Sequence, residues 1–317
     1  MSEPPPSTEE HAGERTKAHA DKPDIDVPLV RSLLAAQFPQ WAALPIERFP
    51  SAGTVNEVFR LGDDMAVRLP RRAASTEDAA AEHRWLAWLA PRLPVPIPQV
   101  LARGAPADGY AWPWSVHAWL DGVNPVEGAV AQPQALAEDL AGFVTALRSL
   151  DPAGAPPAYR GGPLKAQDAG TREAIDQLRS LRHPRAAVDT DAAAAAWEAD
   201  LRAPAWDGPP VWVHADLMPG NLLVRDGRLS AVIDFECAGA GDPACDLIPA
   251  WNLLPARARD AFRAATGADD ATWARGRGRA LSMALIQLPY YVDTNPVMAA
   301  NARHVIREVL ADHARTS

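Results

Sequence analysis

The sequence predicts an α+β chain, with a small antiparallel-sheet region first and a larger, mainly helical region after it. Residues 51–70, SAGTVNEVFRLGDDMAVRLP, alternate like two strands around a Gly62-Asp63-Asp64 turn. From Gln134 onward, apolar residues instead recur at helical spacing. A third signal, Asp226-Gly227 between two short apolar runs, sets one tight hairpin inside the helical part.

Taken in order, the first 27 residues are proline-rich, charged and poor in large apolar groups, which predicts a disordered tail. A short amphipathic helix is expected over Val27 to Phe38, and the N-terminal region runs over 28–117. Within it, Trp85, Leu86, Trp88 and Leu89 form the apolar face of a helix over Glu77 to Ala90, leaving Glu82 on the other side. Ser115 to Leu120 reads as the last strand before the C-terminal region, 118–317. There, Leu136, Leu140, Phe143, Val144 and Leu147 share one helix face, ending before Asp151-Pro152. Residues 152–210 are rich in glycine, proline and alanine, with helices near 172–182 and 190–202. Further helices are expected at about 244–265, 271–289 and 296–313.

Composition narrows the function classes. A chain of 317 residues with 48% hydrophobic content can bury one large or two moderate cores. No apolar run approaches the roughly 18 residues that cross a bilayer, and no apolar stretch follows basic residues at the start, so a cytoplasmic protein is expected. Cys237 and Cys245 are the two cysteines, without CxxC or histidine pairing; they are expected to be small buried hydrophobes, not a disulfide or zinc site. The net charge of -9 argues against nucleic acid as a partner and mildly favours a cationic small molecule.

The chemistry concentrates in Val211 to Asp246, VWVHADLMPGNLLVRDGRLSAVIDFECAGAGDPACD. Val211 to Val213 reads as a buried strand, and Pro219-Gly220 breaks any regular continuation of the chain beyond it. Leu222 to Val224 and Leu229 to Ile233 then pair across Asp226-Gly227. In that hairpin Asn221 opens one strand and Asp234 closes the other, while Asp216 sits on the loop feeding the same end. Oxygen ligands for magnesium beside a carboxylate that orients a hydroxyl are what phosphoryl transfer asks of a protein.

HADLMPGN at 214–221 resembles the HxDxxxxN catalytic loop of kinase-like phosphotransferases, and IDFE at 233–236 resembles their metal-binding element. With Ala215 before the aspartate and GDPACDL at 241–247, the form is similar to the aminoglycoside phosphotransferase family, whose relatives include macrolide, choline and homoserine kinases. The resemblance implies a two-lobed, protein-kinase-like fold with a small sheet lobe and a larger helical lobe. It implies ATP or GTP as donor, Mg2+ as cofactor, Asp216 as the catalytic acid-base group, and Asn221 and Asp234 as metal ligands. Upstream, Ser51 and Thr54 take the place of the phosphate-covering loop, and Ala118 lies where the hinge backbone meets the adenine edge. The clamp lysine of the family is replaced by Arg68, since Lys17, Lys22 and Lys165 are the only lysines; Glu82 is assigned as its helix partner.

His214 is expected to brace its loop, Asp242 to cap a helix, and Asp246 to be structural. The implied acceptor is a small molecule bearing a hydroxyl, an aminoglycoside-type antibiotic first and a macrolide or amino alcohol as the alternative. A polyamine calls for carboxylates, for which Glu236, Asp246, Asp270 and Asp293 are candidates. A macrolide calls for an apolar wall, for which Trp197, Trp206, Trp251, Trp273, Tyr290 and Tyr291 are candidates. Two other classes stay open: a nucleotide-binding pseudokinase, raised by Arg68, and a protein kinase, against which GDPACDL in place of an APE element counts.

Overall fold

The computed structural model describes residues 25–49, 56–71, 76–126, 128–181 and 183–316. Residues 1–24 of the expected tail, and Ser51 and Thr54, lie outside them. The chain divides into two compact units: residues up to 81 together with 100–119, and residues 82–99 together with 120–317. Residues 82–99, expected with the sheet, therefore group with the helical part.

The N-terminal unit is built on a five-stranded antiparallel sheet of order β1-β2-β3-β5-β4. Its strands are β1 (Ile46–Phe49), β2 (Asn56–Leu61), β3 (Met65–Pro70), β4 (Val100–Gly104) and β5 (Trp114–Ala118). The expected turn joins β2 to β3, with Gly62 at φ 58°, a left-handed conformation that costs glycine little. Helix α1 (Val27–Gln37) starts at Asp26, whose carboxylate accepts the Leu29 N–H at 2.9 Å. Ile25, within the span expected as a tail, is buried as well. Val30, Leu33 and Leu34 of α1 pack with Phe59, Leu61, Val67, Leu69 and Val116 of the sheet. Burial of this kind contributes about 1.5–3 kcal/mol per large apolar side chain. Alternation places Val67 and Leu69 on the core face of β3 and Arg68 on the other.

The C-terminal unit is mainly helical. Helix α2 (Thr76–Leu89) spans the division, and its last turns lay Trp85 and Trp88 against Trp212, with ring centroids 5.1 and 6.1 Å apart. Helix α3 (Pro133–Arg148) buries the five apolar residues expected of it. Helices α4 (Asp168–Ser180) and α5 (Thr190–Leu201) come next, the second capped by Asp189. The single helix expected at 244–265 is instead three pieces: a 3-10 turn at Pro243–Leu247, α6 (Pro249–Asn252) and α7 (Ala256–Thr266). Pro249 and Pro255 lie at the breaks: each lacks the N–H of a helical i→i−4 bond, and Leu253 and Pro255 leave helical torsions between α6 and α7. The long α8 (Asp270–Tyr291) and α9 (Pro296–Thr316) complete the core, with Leu281, Leu285, Ile306 and Val309 buried. No helix among the described residues is long and apolar enough to cross a membrane.

Two strand pairs punctuate this unit. β6 (Val211–Val213) pairs with β9 (Gly239–Gly241), and β7 (Leu222–Arg225) pairs with β8 (Arg228–Val232). Asp226 and Gly227, at φ 53° and 77°, give the β7–β8 turn the two left-handed residues of a type I′ hairpin.

Candidate active site

The loop leaving β6 is held in an unusual shape. Ala215 adopts φ 62°, which costs a residue with a Cβ about 1–2 kcal/mol. Asp246 offsets this. Its two oxygens accept the backbone N–H groups of His214 and Ala215, each at 2.8 Å. The carboxylate is buried, and burial pushes its pKa up against the pull of His214 and of those donors. The His214 ring is locked from both ends. Nδ1 accepts the Asp216 N–H at 3.3 Å, which leaves Nε2 as the protonated nitrogen donating to the Ile233 carbonyl at 3.1 Å. With both nitrogens engaged, His214 is a brace, as its place in the motif suggested.

Beyond the brace, Asp216 is half-buried and the chain turns at once: the Met218 N–H donates to the Asp216 carbonyl at 2.7 Å. Asn221 Nδ2 bridges the Asp216 carbonyl and Oδ2, both at 2.9 Å. The Ile233 N–H donates to the Asn221 carbonyl at 2.9 Å, extending the ladder one step past Leu222↔Val232. Asp234 therefore leaves the ribbon beside Asn221, in a left-handed backbone of φ 66°. Such strained residues cluster where function constrains the chain. The structure thus brings Asp216, Asn221 and Asp234 to one end of the hairpin.

These groups fit a magnesium ion. The bonds that orient Asn221 use its nitrogen, and among the described residues nothing donates to its Oδ1 or to the Asp234 carboxylate. A carboxylate and an amide oxygen that accept no donor, at one end of a hairpin, suit a hard cation. No three His, Cys, Asp or Glu side chains among the described residues gather as a metal site, so the remaining ligands would be water and nucleotide phosphates, as magnesium favours.

Three contributors escaped the sequence. Arg160 Nη1 sits 2.5 Å from Asp216 Oδ1. Asn124 Nδ2 donates to the carbonyls of Gly220 and Leu222, both at 2.9 Å, while Val123 pairs with Val224 along the outer edge of the hairpin. Asp242 caps the 3-10 turn through the Ala244 N–H at 2.9 Å, as expected, but it also binds Arg275 at 2.9 Å and Arg279 at 3.2 Å. Apart from the Asp242 cap on Ala244, none of these pairings obeys a local spacing.

The other candidates lie elsewhere. Arg68 stands on β3 in the N-terminal unit, opposite Val58 and Ser115. With the Asn56 amide turned so that its oxygen faces Arg68, it accepts from Nε and Nη2 at 3.0 and 2.9 Å. Ala118 ends β5, paired with Met65. Glu82 is half-buried on α2 and belongs to the C-terminal unit. Trp197, Trp251 and Trp273 are buried core residues, while Trp206 and Tyr290 are exposed. Asp246 is internal, Asp270 pairs with Arg263, and Asp293 pairs with His183 at 3.2 Å. Burial pushes the thiols of Cys237 and Cys245 up to about 12; for Cys237, the nearby Asp216 charge adds to this.

An antiparallel-sheet unit succeeded by a helical unit with this loop and hairpin defines a kinase-like phosphotransferase. The chain belongs to the phosphotransferase enzyme family, whose model matches residues 46–281. Solved structures with the same fold include the GDP complex of wild-type aminoglycoside 2'-phosphotransferase-IIIa, at 19% identity and a TM-score of 0.68, covering 91% of this chain and 100% of that one. Another is macrolide 2'-phosphotransferase MphH from Brachybacterium faecium, at 23% identity and 0.57, covering 89% and 97%. ADP-bound aminoglycoside phosphotransferase APH(2'')-Ib matches at 16% identity and 0.57, covering 90% and 98%. No curated protein sequence matches the chain.

Proposed function

We propose that the protein moves the γ-phosphate of ATP or GTP to a hydroxyl of a small molecule in the cytoplasm. The observation that carries this reading is the arrangement of Asn221, whose nitrogen fixes Asp216 and whose backbone pairs with Ile233, next to Asp234. Asp216 orients the acceptor hydroxyl and takes its proton as the acceptor oxygen bonds to the γ-phosphorus. The bond from that phosphorus to the bridging oxygen breaks, and the nucleoside diphosphate leaves with the electron pair. Asn221 and Asp234 would hold Mg2+, which neutralises charge on the donor phosphates. Arg68 is proposed to grip those phosphates, with Glu82 as its partner, alongside Ser51, Thr54 and the Ala118 backbone on the nucleotide. Positioning and charge stabilisation supply most of the rate, with proton transfer late.

For the acceptor, the family resemblance puts an aminoglycoside-type molecule first. A macrolide is the second reading, for which Trp206 and Tyr290 are exposed members of the candidate aromatic wall.

The test is nucleoside diphosphate release with magnesium and either nucleotide, screened against aminoglycosides, macrolides and amino alcohols. Asp216→Asn should lower turnover by on the order of 10²–10⁴-fold while leaving nucleotide binding intact. A turnover close to that of the unmodified protein would remove Asp216 from the role. Tight nucleotide binding without turnover by the unmodified protein would favour the pseudokinase.

A further inference from the structure

We infer that Arg160 is a positioning residue for the transfer, its guanidinium fixing the Asp216 carboxylate in the orientation that receives the acceptor hydroxyl; this rests on the phosphotransferase reading. The carboxylate is gripped from two sides, Oδ1 by Arg160 at 2.5 Å and Oδ2 by Asn221 at 2.9 Å. Each carboxylate oxygen accepts more than one donor, so both keep a lone pair for the acceptor. Asn221 alone would hold a single oxygen and let the group swing about its Cβ–Cγ bond. Two donors on separate oxygens set its plane.

Arg160 and Asp216 are 30% and 23% exposed, so solvent screens part of the attraction between them. Yet the Arg160 backbone is fastened on every side. Its carbonyl accepts from Arg279 Nη1 at 2.6 Å and from the Cys245 thiol at 3.3 Å. The Tyr159 N–H donates to the Cys237 carbonyl at 3.1 Å, and the Gly161 carbonyl accepts the Asp242 N–H at 3.0 Å. Arg279 is in turn fixed by Asp242. Gly161 allows the segment to lie flat on β9, since a Cβ there would stand 2.9 Å from Gly241 Cα and 2.8 Å from Ala158 Cβ. A buried lattice on α8 thus holds the backbone of one residue whose side chain reaches outward to the catalytic acid. Misplacing a reacting group by about 1 Å can cost on the order of 10²-fold in rate, which is the scale such fastening protects.

The experiment compares Arg160→Met, Arg160→Lys and Arg160→Ala with the unmodified protein, using magnesium with ATP or GTP and, as acceptors, water, aminoglycosides and macrolides. Arg160→Met is expected to lower kcat on the order of 10²-fold with an unchanged KM for the nucleotide and an unchanged melting temperature. Arg160→Lys should retain part of the rate, and guanidinium ion in solution should restore part of it to Arg160→Ala. An unaltered kcat in Arg160→Met, or a loss that tracks the melting temperature and does not respond to guanidinium, overturns the inference alone. Absence of turnover by the unmodified protein with every acceptor, water included, overturns the phosphotransferase reading and this inference with it.

Discussion

His214 Nε2 donates to the Ile233 carbonyl at 3.1 Å, so the loop that carries Asp216 and the strand end that delivers Asp234 share one hydrogen bond. The ring also stands edge-on to Phe235, with centroids 4.6 Å apart. His214→Ala removes both contacts and leaves a buried carbonyl without its donor. It should destabilise the fold by about 1–3 kcal/mol and lower kcat more than it weakens nucleotide binding. Thermal melts and steady-state kinetics on the same preparation check this, and wild-type kcat would show that the clasp does not set the geometry.

Asp246→Asn is nearly isosteric but chemically mismatched. One carboxylate oxygen becomes an NH2 group facing either the His214 or the Ala215 N–H, both of which need an acceptor. The expected loss is about 1–3 kcal/mol of stability, with a matching fall in turnover from the loosened Ala215 turn. Denaturant unfolding measures it. A variant as stable as the parent would mean that the turn holds itself.

Asp139 ties α3 to the hairpin. Its oxygens accept from Arg228 Nε at 2.7 Å and Nη2 at 2.5 Å, and from the Leu229 N–H at 3.1 Å. The Arg228 hydrogen bonds hold the Asp139 carboxyl below its ordinary 3.8. A depressed folded pKa means that this stabilisation is fully present above pH 3.8 and disappears as pH falls through the lower folded value. The stability gap between the parent and Asp139→Asn should therefore be widest near neutrality and close in acid. It should also be small, because Arg228 is largely exposed. Unfolding curves at several pH values would expose a constant gap, which would contradict the assignment.

Cys237 lies near enough to Asp216, the proposed catalytic carboxylate, to feel its charge, yet its thiol should be inert. Burial foremost, and then the Asp216 charge, push its pKa up to about 12, so little thiolate exists near neutral pH. Iodoacetamide should label neither cysteine at an appreciable rate in the folded protein and both after denaturation. Rapid labelling of the native protein, detected by mass spectrometry, would refute this.

Much of the hairpin end was legible because its determinants are local. Asp226-Gly227 sets the turn, and the ribbon it starts, after a one-residue register shift between Leu223 and Val224, brings Asn221 and Asp234 together. Arg160 was not legible, being 56 residues from Asp216 in an irregular segment and delivered there by backbone bonds to β9 and α8. Strand β1 escaped for a different reason: of its residues only Ile46 is buried, so no alternation shows. The breaks at Pro249 and Pro255 were visible as prolines, but helical spacing across 244–265 outweighed them. Trp197 and Trp251 show the limit of composition, since an aromatic intended for a ligand wall and one intended for the core read alike until packing decides.

The left-handed backbones at Ala215 and Asp234 sit at the two joints from which the acids project. The aim of each acid is thus written into main-chain torsions more than into rotamer choice. Such joints act as detents. On the proposed reading, side chains that touch the acceptor can be exchanged to suit a new guest without re-aiming the acids, whereas a β-branched residue in place of Ala215 would disturb every guest alike.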